Sequence, residues 1–432
     1  VSGNNTATYL YASQILILEL VKFIFYLLVP IKNATVFIRA LLRKLCNTNV
    51  PLVYQLTVLS LGTQTKKNDA YFVPLLASLE YEVNYIKIVG GLTIKSTHYS
   101  FAESSLELMQ LASLLLMLVV SPLLNIWYLL GSARKILPAR QKFIYVYLGL
   151  KEINSGAVFS NKVITESISA YIKKNPSLTL LYPMEGRNWE KVMLSALSLV
   201  KGRSIGYIHA AITPRHLSLT SSHYYHPEAL PSLIITPSEM AYALVSTAFN
   251  QVEVKKGFFL RGSKATHLGN KSSTTLLFAL TGNLQESKLI MQAIAKAKSV
   301  STYNVLVRLN PNTSTYKSLI EFATHLKLNL WIEKDNLIPT ICFFRSSSVA
   351  IDYLKLDVLP VYLSLNEIIS SNIFALDNKF EFQSIEVNEH FNNKLQMLIN
   401  ETLTHQFDNG GEVANYYLDQ CYDYTQLSRL LN

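Results

Sequence analysis

Residues 178–210 read LTLLYPMEGRNWEKVMLSALSLVKGRSIGYIHA, and the order of their parts decides the fold. Leu178–Tyr182 is a short apolar run that stops at a proline, the pattern of a buried strand. Trp189–Val200 follows as a helix, and Ile205–His209 is a second strand-like run. Strand, helix and strand in such close succession make a βαβ unit with parallel strands. The same rhythm runs outward both ways. Upstream, Pro51–Gly62, Glu82–Val89 and Lys142–Leu148 read as strands, with helices at Ala70–Leu79 and Ser160–Lys174. Downstream, strands are expected at Ser232–Thr236, Val254–Phe259, Thr274–Leu280, Asn304–Leu309, Leu328–Ile332, Ile341–Phe344 and Val358–Leu363. Helices at Glu239–Phe249, Gln285–Lys298, Tyr316–Leu326 and Val349–Lys355 alternate with them. The expected class is α/β, with two Rossmann-like domains facing a cleft and ligands at the carboxyl ends of the strands.

The expected boundaries are hydrophobic and amphipathic helices over 1–50 and a first Rossmann-like domain over 51–225, with a hydrophobic helical insert at 106–135. A second Rossmann-like domain covers 226–382, and a helical tail covers 383–432, with Leu395, Leu398 and Ile399 on one side.

Composition narrows the class. Of 432 residues, 50% are apolar and 16% charged, which excludes a mostly disordered chain. A mean hydropathy of +0.22 sits on the apolar side for a soluble enzyme. Cys46, Cys342 and Cys421 lie far apart, so neither a disulfide framework nor a zinc module is expected, and a reducing compartment fits. Thirty-nine basic against 29 acidic residues give +10, a balance that suits anionic partners. The basic residues gather beside the apolar segments and no nucleic-acid module occurs, so acidic lipid and a phosphorylated donor are expected instead of nucleic acid. No GxxxxGK[ST], GxGxxG or HExxH motif is present, which counts against NTPase, dehydrogenase and metalloprotease chemistry. The spacing of His216, His223 and His226 fits no standard metal site, and Glu333-Lys-Asp335 is a poor substitute for a DxD motif.

Two apolar segments raise the membrane question. Ile15–Ile31 is interrupted by Glu19 and Lys22, and the next residues carry Lys32, Arg39, Arg43 and Lys44 at amphipathic spacing. They read as an interfacial helix pair or as buried helices of a domain. Leu111–Leu130 has twenty residues without a charge, broken by Pro122 and followed by Arg134, Lys135, Arg140 and Lys142. A membrane span, a hairpin dipping into one leaflet and a buried or partner-facing helix all fit. The hairpin is preferred, because a single span would put the flanking segments on opposite sides of a bilayer, whereas the domain reading keeps them together.

Candidate chemistry sits at strand ends. Glu185 lies in the loop after Leu178–Tyr182, near Arg187 and Trp189, as a general base for a sugar hydroxyl. Glu190 is either an acid of the same site or a simple partner of its helix dipole. His209 ends the next strand. In the second half, the turns at Gly282-Asn283 and Ser346-Ser347-Ser348, with Arg308 between them in sequence, offer backbone N–H groups and a cation to a nucleotide phosphate. Ordinary helix capping by Ser and Asn accounts for the same residues.

In sequence these pieces run YPMEGRNWE at 182–190, GYIH at 206–209, Asn310-Pro311, then SSSVAIDYLKLDVLPV at 346–361. The series resembles bacterial surface-carbohydrate glycosyltransferases of GT-B architecture, those of capsule and lipopolysaccharide, and within them the CMP-sugar-using Kdo-transferase and sialyltransferase-like group. The resemblance implies sugar transfer from a CMP-sugar such as Kdo to a hydroxyl of a surface glycan or glycolipid, without metal or other cofactor. It implies Glu185, Glu190 and His209 on the catalytic side, with Arg187 and Trp189 toward the acceptor. Gly282, Asn283, Arg308, Asn310, Pro311, Ser346, Ser347 and Ser348 would hold the nucleotide. The expected place is the cytoplasm, peripheral or monotopic on the inner face of the cytoplasmic membrane, on an anionic surface. Three departures stand out: Asn310 where the family has His, Asp352 for Glu and Asp357 for Gly. The Asn310 departure supports the alternative of a non-catalytic, membrane-associated binding or assembly protein on the same scaffold.

Overall fold

The computed structural model describes residues 28–46, 56–60, 83–87, 100–101, 106–136, 145–146, 149–150, 157–221, 225, 227–257, 270–272, 274–310, 315–331, 337–367, 369–376, 379–404 and 410–418. The expectations for Ile15–Leu27, Ala70–Leu79, Pro311, His223, His226 and Glu333-Lys-Asp335 lie outside these residues. The chain divides into two compact units, 1–206 with 225–232 and 207–224 with 233–432.

Strands β1 (Leu56–Ser60), β2 (Val83–Lys87), β3 (Ser100–Phe101), β4 (Thr179–Pro183), β5 (Arg203–Tyr207), β6 (Leu233–Thr236) and β7 (Glu253–Lys256) form a seven-stranded sheet ordered β3-β2-β1-β4-β5-β6-β7. Its β1–β2, β1–β4, β2–β3 and β6–β7 pairs are parallel. Strands β9 (Thr275–Ala279), β10 (Asn304–Arg308), β11 (Asn329–Leu330), β13 (Ile341–Phe344), β14 (Leu359–Ser364) and β15 (Ser384–Glu386) form a second parallel sheet, ordered β11-β10-β9-β13-β14-β15. Two short strands, β8 (Asn270–Lys271) and β12 (Leu337–Ile338), pair separately. The α/β expectation with two parallel sheets therefore holds. Its strands are legible because a parallel strand covered on both faces is a continuous apolar run: β6, β9 and β13 are buried at every residue.

Helices α1 (Leu28–Cys46), α2 (Leu108–Ile136) and α3 (Ala157–Lys174) pack through Ala40, Leu111, Leu114, Phe159 and Val163. The preferred hairpin at Leu111–Leu130 gives way to one continuous helix of 29 residues. Pro122 costs a backbone hydrogen bond locally, and the leucine-rich turns on both sides outweigh it. Among the described residues no helix is long and apolar enough to cross a membrane; the side chains of several central α2 residues lie outside that set. Leu111, Leu114 and Leu129 bury one side of α2, while Leu108, Met109, Leu116, Leu124, Trp127 and Tyr128 stay exposed, Trp127 at 81%. The strand expected at Lys142–Leu148 is also corrected: Tyr145 and Val146 are helical, as are Gly149 and Leu150. Val146 and Leu150 pack with Leu129.

Helix α4 (Asn188–Leu199) belongs to the first unit. The second unit carries α5 (Glu239–Ala248), α6 (Leu284–Lys296), α7 (Tyr316–His325), α8 (Val349–Leu354), α9 (Phe391–Thr404) and α10 (Gly410–Tyr417). Its core stacks Phe278 on Phe343, with ring centroids 4.6 Å apart. The tail expected to be helical from Gln383 opens with β15, a strand too short to show alternation in sequence. Helix α10 begins against α8 at Gly410, where a Cβ would lie 2.0 Å from the Leu354 carbonyl oxygen. The Gly410 N–H donates to Asp357 Oδ1 at 3.0 Å, and Asp357 itself has φ 53°. The residue that departs from the resembled pattern thus keeps the left-handed backbone suited to glycine and adds a cap for α10.

Candidate functional site

In both sheets the first strand has its successor on one side and a later strand on the other, so the order reverses beside β1 and beside β9. Open parallel sheets bind ligands outside the carboxyl ends of the strands at such a reversal.

At the first reversal, β4 delivers the loop Met184-Glu185-Gly186-Arg187 into α4. Gly186 takes φ 76°, turning the backbone so that successive N–H groups converge. Glu190 receives them: Oε1 accepts from Glu185 N at 3.1 Å and Arg187 N at 3.1 Å, and Oε2 accepts from Gly186 N at 3.0 Å. Arg187 is the N-cap and Glu190 the third helical residue of a capping box. Glu190 has no exposed surface, and burial pushes its carboxyl up to about 7 against the three N–H groups, which favour the charged form. Tyr182 and Tyr225 share this pocket; burial first, then the Glu190 charge, raises both phenols. Glu185 remains half-buried and paired with the Arg187 Nε–H, and Lys191 lies over the Tyr225 ring at 5.4 Å. Of the sequence-predicted acceptor residues, Arg187 is exposed and Trp189 is buried in the domain. His209 is buried two residues past β5.

At the second reversal, the turn after β9 caps its own helix. Asn283 Oδ1 accepts from Gln285 N at 3.0 Å and Glu286 N at 3.2 Å, and Thr281 Oγ1 accepts from Asn283 N at 2.7 Å. Thr315 Oγ1 donates to the Gly282 carbonyl at 2.7 Å. Arg308 closes β10 half-buried, with Asn310 exposed beyond it. Past β13, Ser346 has φ 51°, and Ser348 makes no side-chain cap bond to α8. Ser346 is strained for a residue with a side chain, a condition that collects at ligand sites.

Between these turns lies a charge network that the sequence reading missed. Arg345, fully buried, donates from Nε to Glu286 Oε2 at 3.2 Å and from Nη2 to Glu286 Oε1 at 3.1 Å. Its Nη1 donates to Glu367 Oε1 at 2.8 Å, and it also meets Glu367 Oε2 and the Tyr362 hydroxyl. Arg215 closes the network from Nη2 to Glu367 Oε2 at 2.9 Å and from Nε to the Ile369 carbonyl at 3.0 Å. Burial alone would raise Glu367, but the Arg345 and Tyr362 hydrogen bonds and the two arginine charges hold it below the usual carboxylate range. Two arginines and two glutamates leave the cluster neutral. A charged residue directly after the apolar run ICFF was the available signal; its partners lie 22 and 59 residues away.

No protein-family model matches the sequence, and no curated protein is significantly similar to it. Among solved structures the chain is similar to MurG of Acinetobacter baumannii, at 11% identity and TM-score 0.45, over 87% of this chain and 99% of that one. It is similar to UDP-N-acetylglucosamine 2-epimerase from Rickettsia bellii, at 9% and 0.46, over 88% and 96%. The S. aureus MnaA–UDP structure matches at 12% and 0.45, over 87% and 95%. At such identities and scores, the function has to be argued from the chain's own residues.

Proposed function

We propose that the protein is a glycosyltransferase that moves a sugar from a nucleotide donor, with a CMP-sugar such as Kdo favoured, to a hydroxyl of a surface glycan or glycolipid. The observation that carries this reading is Glu185, half-buried at the first reversal on a loop fixed by three hydrogen bonds. In this reading Glu185 takes the proton of the acceptor hydroxyl, Glu190 and His209 belong to the same catalytic side, and Arg187 and Trp189 to the acceptor side. On the donor side stand Gly282, Asn283, Arg308, Asn310, Pro311, Ser346, Ser347 and Ser348. The leaving phosphate would be stabilised by Arg308 and hydroxyl and backbone donors, without a metal. Glu185→Gln is expected to lower sugar transfer by at least about a hundredfold, the scale of general-base catalysis, with nucleotide affinity unchanged. Turnover at the wild-type rate would remove Glu185 from the chemistry.

The exposed face of α2 supports a membrane-bound place for this activity. Leu108, Met109, Leu116, Leu124, Trp127 and Tyr128 are too many large apolar side chains for a face turned to water. Lys173 and Lys174 are exposed at the end of α3, and Lys174 lies near enough to Lys44 of α1 to lower its pKa, after burial. Apolar stripe, aromatic pair and lysines together suit an anionic bilayer surface. The protein should pellet with vesicles containing phosphatidylglycerol, and Leu116→Ser with Trp127→Ser should weaken that binding more than tenfold. Equal binding by the double variant would remove this face from the interaction.

The alternative of a non-catalytic binding or assembly protein draws on the second reversal. There Arg345 is already neutralised by two carboxylates, and the N–H groups of the α6 first turn are taken by Asn283.

A further inference from the structure

The geometry points to Glu190 as a positioning residue: its carboxylate gathers the N–H groups of residues 185–187 and thereby sets where the Glu185 carboxyl stands. This rests on the reading of Glu185 as proton acceptor. Glu190 has no exposed surface, so a substrate cannot reach its carboxylate while the loop is closed over it. Both of its oxygens are engaged by the loop, at 3.0–3.1 Å, and the three donors are consecutive residues. Such a run of N–H groups is an anion nest, here filled from within by the helix that follows it. The pocket wall is equally closed. Tyr182 Oη is buried with no hydrogen-bond partner among the described residues, and a Cβ at Gly206 would lie 3.2 Å from it and 2.9 Å from Met184 Sδ. What Glu190 can still control is the backbone that carries Glu185.

The groups facing the Glu190 carboxyl are Tyr182 from β4, Tyr225, and the Glu185–Arg187 pair of its own loop, with Lys191 beyond over the Tyr225 ring. Both phenols stay neutral through the range where proteins are handled, since burial raises them. A proton taken up near neutrality therefore goes to Glu190, where it removes acceptor strength from one oxygen and loosens the loop.

The test is amide hydrogen exchange on the full chain, read at residues 185–187, for wild type, Glu190→Gln and Glu190→Asp. At pH 8, Glu190→Gln should speed exchange of these amides at least tenfold, while the β13 amides keep the wild-type rate; Glu190→Asp should fall between. In wild type the same amides should lose protection, beyond the intrinsic pH effect, as pH falls through about 7. In the transfer assay Glu190→Gln should lower kcat with KM unchanged and abolish the pH dependence around neutrality. Unchanged exchange in Glu190→Gln overturns the inference, and so does raised exchange with wild-type turnover while Glu185→Gln is inactive. Full turnover by Glu185→Gln overturns the reading underneath, and with it the catalytic meaning of Glu190, whatever the exchange rates show.

Discussion

The two sheets share a strand order and bury opposite charges at its reversal. In the first, the carboxylate of Glu190 is held by three backbone N–H groups with two tyrosines around it. In the second, the guanidinium of Arg345 is held by two carboxylates, with Arg215 at the rim. Backbone dipoles solvate a charge without cancelling it, so burial still drives the Glu190 carboxyl toward neutrality. Full counter-charges cancel, so the Arg345 and Tyr362 hydrogen bonds and the arginine charges outweigh burial and hold the Glu367 carboxyl below its usual range. Burial moves a carboxyl up toward neutral pH at the first reversal, and paired charges hold one below its usual range at the second.

The largest effect that would break this contrast comes from Arg345→Met. Leaving Glu286 and Glu367 with reduced pairing should cost about 3–5 kcal/mol, the scale for removing one partner of a buried pair, measured by urea denaturation at pH 7. A loss under about 1 kcal/mol would mean that the network is a solvated surface pair instead. Glu367 adds an acid limit: its folded pKa is depressed, so its contribution is present above the ordinary carboxylate pKa and lost as pH falls below it.

Glu190 gives a smaller effect of the opposite sign. Its carboxyl is raised in the folded protein to about 7, so the folded state holds a proton that the unfolded chain has lost above about 4.5. Stability is then greatest below about 4.5 as far as this group is concerned, and falls as pH rises toward 7, by about 3 kcal/mol in all at roughly 1.4 kcal/mol per pH unit. Glu190→Gln should flatten that slope in denaturation curves taken from pH 5 to pH 8. An unaltered slope would show that the carboxyl is ionised throughout and that the N–H groups outweigh burial.

Much of the fold was legible in the sequence, for a physical reason. Parallel strands covered on both faces are unbroken apolar runs, so LIIT, TLLFA and ICFF announce β6, β9 and β13. Where burial is partial the signal fades: β15 buries Ile385 alone, and the aromatic alternation of KFIYVYL reads as a strand although Tyr145 and Val146 are helical and Val146 packs with Leu129 and Leu150. Site geometry was legible only where it is local. Glu190, three residues from its cap, could be read as a helix partner, while its grip on the whole loop depends on Gly186 reaching a positive φ. Arg345 could not be paired from sequence, because Glu286 and Glu367 meet it only once β9, β13 and β14 lie side by side. Asp357 shows a departure whose meaning is structural: it holds a left-handed turn and caps α10 in place of a plain glycine.

The central claim is that this chain binds a nucleotide-activated sugar, and isothermal titration calorimetry of the full chain with CMP, CDP and UDP tests it most directly. The account predicts saturable one-to-one binding of a cytidine nucleotide, with CMP favoured, that survives Glu185→Gln and weakens at least tenfold in Arg308→Ala. No heat with any of the three nucleotides would contradict it and leave the non-catalytic reading in its place.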